Sequence, residues 1–166
     1  MNIRLRLRVG LAIPFLGAAC TTGLPVTTGV PVDRSLSVAA SADPSAPNRG
    51  TFDVTVTNVS GQDRCVFKDA LERPGSDALG SGLRIGRQAI PHVPEGYLIP
   101  QIQGFRRLGP GETVSFKADL RGRFERDFEA LGQDAEARIG VPHVSCATEP
   151  TVGDWRQSWS PWAAVG

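Results

Sequence analysis

Two histidines, three cysteines and three tryptophans crowded into eight positions are the side chains whose types and spacing could do chemistry here. His143 stands two residues before Ser145, a base near a hydroxyl, but nucleophilic catalysis also needs an orienting acid and a turn that exposes the nucleophile. Residues two apart in a strand share a face without such a turn, and no Gly-x-Ser-x-Gly occurs. His92 lies in a proline-rich stretch near Glu95, and the carboxylates of Glu125 with Asp127 and of Glu129 with Asp134 read as a solvated face. No cysteine pair has Cys-x-x-Cys spacing, neither histidine has ligands spaced around it, and His-Glu-x-x-His is absent, so neither a metal site nor a cofactor is expected. The expectation is a noncatalytic protein whose histidines are structural or surface groups.

The tryptophans offer binding rather than catalysis. Trp155, Trp159 and Trp162 could form an exposed aromatic platform for sugar rings or a partner's pocket. They could equally fill a core, since large aromatics supply much of the buried area of a small domain. Strand alternation puts Trp155, Gln157 and Trp159 on one side, while Pro161 breaks the pattern and sends Trp162 to the opposite face. Tyr97, between Pro94 and Pro100, is a further binding candidate, carried inward or into a groove by an edge segment.

The cysteines lead to an address. Arg4, Arg6 and Arg8 precede an apolar run from Val9 to Ala19, too short for the roughly 20 residues of a spanning helix and typical of an export signal. Leu16-Gly17-Ala18-Ala19-Cys20 resembles the bacterial lipoprotein cleavage site, in which the cysteine receives diacylglycerol, although Gly17-Ala18-Ala19 also meets the rule for an ordinary secretory signal. With lipid on Cys20, Cys65 and Cys146 remain as a pair for a disulfide in an oxidising compartment. Thr21 in place of aspartate implies, by the same resemblance, the outer membrane with the domain facing the periplasm. Residues 1–19 thus read as a signal peptide, 20–35 as a flexible threonine-, glycine- and proline-rich tether, and 36–166 as one domain. Without residues 1–19 the chain has 15 basic and 17 acidic residues, a net charge of −2, which gives no field to attract nucleic acid.

What must position these side chains is a set of strands. Leu36, Val38 and Ala40, then Phe52, Val54 and Val56, then Val114, Phe116 and Ala118 alternate with polar neighbours at period two. Asn58-Val59-Ser60 matches a glycosylation sequon but reads as a turn. Further strands are expected at Arg64–Phe67, Leu83–Ile85, Ala135–Val141 with Glu136 and Arg138 facing water, and Ser158–Val165 at an edge. Phe124, Phe128 and Leu131 have helical spacing, so one short helix is expected within Arg121–Asp134. The fold class predicted is all-β: an antiparallel two-sheet immunoglobulin-like sandwich with at most one short helix.

Thr51–Asn58, Leu83–Gly86, Arg106–Phe116 and Asp119-Leu120 together resemble the noncatalytic β-sandwich module that precedes the catalytic domain of deuterolysin-like metalloendopeptidases. The resemblance spans about 70 residues of strand and turn pattern and implies the fold alone. The function expected is a lipid-anchored envelope module that binds an envelope protein or has a structural role. The alternative is a secreted proteinase inhibitor or carbohydrate-binding module. A partner's identity, the strand order and the oligomeric state are not legible in the sequence.

Overall fold

The computed structural model describes residues 33–93, 104–146 and 154–166. The predicted class holds: two antiparallel sheets face each other, with one short helix among the described residues. The first sheet has the order β1 (Leu36–Ala42), β2 (Thr51–Asn58), β7 (Thr113–Asp119). Its inner face carries Leu36, Val38, Phe52, Val54, Val56, Val114 and Ala118, the apolar half of the alternation, all buried. The outer rows are hydroxyl-rich, with Thr57 bonded to Thr113 at 2.9 Å and Thr55 to Ser115 at 3.1 Å across the strand pair.

The second sheet is built on β8 (Ala135–Ser145), which outruns the strand predicted to end at Val141. One edge of β8 is shared by β4 (Gly80–Ile85) and β3 (Arg64–Phe67), and the other by β9 (Arg156–Trp159) and β10 (Ala163–Ala164). Gly140 therefore faces Gly80 on one side and Trp159 on the other. The two-residue β5 (Gln88–Ala89) extends the sheet beyond β4, and β6 (Phe105–Leu108) extends it beyond β3. Ala135, Ala137, Ile139 and Val141 point into the core opposite the first sheet.

The helix lies elsewhere than expected. Within Arg121–Asp134 only one 3-10 turn forms, Phe128–Ala130, and the helix is α1 (Lys68–Glu72). Phe124, Phe128 and Leu131 are buried as their spacing implied, but Gly122, at φ +77°, and the glycine at 132 bound a stretch in which chain reversal wins over helix propagation. Arg123, in the same stretch, is buried and donates to the carbonyls of Leu79, Gly75 and Ser76, so the 75–79 loop closes around a guanidinium.

The chain passes between sheets at 59–63 and again at 109–112, and Asn58 joins both crossings. Its side chain is fully buried; Nδ2 donates to the carbonyls of Gln62 and Leu108 at 2.8 and 2.9 Å, while Oδ1 accepts from the Ser60 amide and hydroxyl. The Asn58 backbone carbonyl accepts from Gly111, whose φ of +78° behind Pro110 makes 109–112 a type II turn. The sequon reading as a turn agrees with this arrangement, which leaves the amide of Asn58 no room for a glycan.

Cys65 and Cys146 are bridged, with a Cα–Cα distance of 5.2 Å. The bridge ties β3 to the end of β8 inside one sheet, diagonal to the Cys65–Val144 register pair.

Candidate functional site

The histidines are built in rather than poised. His143 has no exposed surface, and its Nε2 lies 3.0 Å from the hydroxyl of Ser158, not Ser145. That hydroxyl donates to the Asp33 carbonyl at 2.7 Å, and a carbonyl only accepts; the proton on the histidine must therefore sit on Nε2. Nδ1 is left buried without a partner. The three groups clasp the entering chain to β9, where the Asp33 amide also bonds the Gln157 carbonyl at 2.9 Å. A sealed serine with no approach for substrate is a structural contact. His92 stacks on Phe124 with centroids 4.4 Å apart and lies 3.0 Å from the Ser81 carbonyl. Glu125, Asp127, Glu129 and Asp134 are exposed, as expected of a solvated face.

Burial pushes His143 down to about 4, with Arg64 and Arg156 acting in the same direction and Asp33 opposing them. The folded pKa lies below the ordinary 6.5, so the stability this neutral ring contributes is complete above pH 6.5 and is lost as pH falls from there to about 4. The loss expected over that window is about 3 kcal/mol. Urea unfolding measured at steps between pH 7 and 4 should show this slope in the native chain and not in His143→Leu. Asp33, Asp43, Asp69 and Asp119 are also held low, but their contributions fade only below the ordinary carboxylate range of about 4.

The tryptophans divide. Trp155 packs edge-on against Phe67 at 4.6 Å, in a cluster with Phe105 that is continuous with the core. Trp159 and Trp162 lie together on the outer face of the second sheet, contrary to the expectation that Pro161 would send Trp162 to the other side. The register gives the reason: from Trp159 to Ala163 the chain advances four residues while β8 advances three, from Gly140 to Ala137. The extra residue acts as a bulge and returns Trp162 to the face of Trp159.

On that face two arginines lie over the two indoles. The Arg138 guanidinium carbon lies 4.4 Å from the Trp159 ring centroid and 4.7 Å from that of Trp162, and the Arg84 guanidinium carbon lies 4.2 Å from that of Trp162. Arg84 is paired with Glu136 at 2.6 Å. Beneath the stack runs a strip of glycines. A Cβ at Gly140 or Gly80 would collide with the Gln157 amide and come within 3.0 or 3.1 Å of the Trp159 ring, and one at Gly82 would approach Arg138 and Trp162 to 3.1 and 3.3 Å. The absence of side chains there lets two indoles lie across neighbouring strands, with cation–π attraction of about 0.5–2 kcal/mol per contact holding the arginines over them.

Arg84, Arg138 and the three glycines were not expected as site residues, and Arg138 does not simply face water. The signal was present as alternation, Gly80-x-Gly82-x-Arg84 against Glu136-x-Arg138-x-Gly140, but only pairing shows that these rows lie side by side. Tyr97 and Cys20 lie outside the described residues. Among the described residues no cluster of three metal-ligating side chains occurs and no helix is long and apolar enough to cross a membrane. A groove of about 520 Å³ lies over the disulfide, lined by Asp63, Arg107, Ser145 and Cys146.

No family model matches the chain, and no curated protein matches it. Among solved structures it is similar to a GH20 exo-β-N-acetylglucosaminidase from Vibrio harveyi in complex with N-acetylglucosamine, at 18% identity and a TM-score of 0.24. The match covers 80% of this chain and spans 18% of that enzyme.

Proposed function

We propose that this chain is a noncatalytic module of the cell envelope, held at a membrane by lipid on Cys20 and binding another envelope protein. The observation that carries the reading is the Cys65–Cys146 bridge. Of three cysteines two are joined far from the N-terminus, and the remaining one, Cys20, stands where the export signal would be cut. A disulfide also fits a compartment outside the reducing cytoplasm.

The route from anchor to domain is short. The 13 residue-to-residue steps from Cys20 to Asp33 could reach at most about 45 Å when extended, and at Asp33 the chain is clasped by Ser158 and Gln157. The covered faces of Trp159 and Trp162 weigh against a sugar-stacking platform, since a pyranose would have to displace a stacked guanidinium.

Radiolabelled palmitate fed to a bacterial host expressing the full chain should label the protein, and the label should vanish in Cys20→Ala while Cys65→Ala keeps it. Label persisting in Cys20→Ala, or absent from the native chain, would defeat the anchoring reading. Cross-linking in intact envelopes followed by affinity purification tests the partner: one reproducible envelope protein is expected, and its absence across cross-linkers would leave the module without its role.

A further inference from the structure

We propose that the outer face of the second sheet holds a carboxylate-binding site centred on Arg138. Arg138 has no carboxylate or carbonyl partner among the described residues, whereas its neighbour Arg84 is paired with Glu136. Its guanidinium lies over two indole rings at once, 4.4 Å from the Trp159 centroid and 4.7 Å from that of Trp162. Its Nε is buried and unpartnered, close over Gly82, while its two terminal nitrogens are not among the buried unpartnered atoms. The guanidinium can therefore bond only at its Nη1/Nη2 end, in the ring plane, and that end reaches solvent.

An arginine fixed in this way is prepared for a ligand. Contact with both Trp159 and Trp162 restricts the rotamer freedom that binding would otherwise have to freeze, and the rings take the place of water over the cation. The planar pair of terminal N–H groups matches the two oxygens of a carboxylate. The charge count selects the class of anion: Arg84, Arg138 and Glu136 together carry +1, which suits a monoanion, and the Glu136 carboxylate nearby disfavours a dianionic phosphate. The carboxylate could belong to a free small acid or to an acidic side chain on a polypeptide, and both present the same group to Arg138. The site is independent of whether Cys20 carries lipid.

The test is an NMR titration of the full chain in detergent micelles with acetate, against chloride at matched ionic strength. The Arg138 Nη signals and the indole N–H signals of Trp159 and Trp162 should move together with one saturable, millimolar midpoint, and Arg84 should not follow. In Arg138→Lys, which keeps the charge without the fork, affinity should fall at least tenfold. A tetraglutamate peptide binding at least tenfold tighter than acetate would identify a polypeptide as the source; equal affinity would identify a small acid. Identical shifts with chloride, unchanged affinity in Arg138→Lys, or inorganic phosphate binding more tightly than acetate would overturn the proposal. If the lysine variant loses the native indole dispersion, the native chain decides alone: Arg138 signals that do not share the indole midpoint reject the site.

Discussion

Replacing Cys65 and Cys146 together by serine is expected to lower the folding free energy by about 4 kcal/mol, the largest effect of any change considered for this domain. The two cysteines are 81 residues apart, so their bond forbids most of the open conformations that the unfolded chain would otherwise sample. The native sheet should lose little, because Cys65 sits on β3 and Cys146 directly follows β8, strands already paired from Arg64–Ser145 to Val66–His143. Denaturant unfolding should accordingly show a lower midpoint with native-like strand content by far-ultraviolet circular dichroism before the transition. The native protein unfolded in reductant should match the double variant in midpoint. A double variant as stable as the oxidised protein would mean that the bridge contributes nothing through the unfolded state.

Asn58→Ala should cost about 3 to 4 kcal/mol, because one buried amide serves four groups, among them the Leu108 carbonyl in a buried contact. That carbonyl would lose its donor, and the turns at 59–63 and 109–112 would lose the side chain that holds them together. Ser60→Ala tests the assignment: it removes contacts on the exposed side of the turn and should cost less than about 1 kcal/mol. Urea midpoints of the two variants, measured side by side, check the ordering. Equal losses would show that the turn, rather than the buried carbonyl, sets the energy.

The second effect arises where the chain crosses between sheets, and its contacts differ in how far the sequence exposes them. Asn58-Val59-Ser60 and Gly109-Pro110-Gly111-Glu112 are turn chemistry readable in order along the chain, because φ preferences and side-chain-to-backbone bonds act over a few residues. That Asn58 also reaches Leu108 is not readable, since the two are 50 residues apart and meet only when the sheets close.

The same division runs through the strands and the helix. Period two located β1, β2 and β7 because one face of each is apolar and the other polar. It failed to extend β8 past Val141, where Pro142, His143 and Val144 are buried in succession and alternation gives no contrast. It also misplaced the helix: Phe124, Phe128 and Leu131 are spaced for a helical face, but their burial is satisfied from a glycine-bounded loop, while Lys68–Glu72 coils at the end of β3.

The sequence by itself determined the all-β class, the cysteine pair and the turn residues, because these follow from local periodicity, from counting, and from backbone preferences that need no neighbour. Only the tertiary structure decided what the tryptophans and histidines do. A four-against-three register beside β8 set Trp162 next to Trp159, three glycines on two strands made the floor, and a serine fifteen residues from His143 took the place of the one two residues away. Which side chains touch across a sheet depends on pairing register, and register is a property of the folded whole.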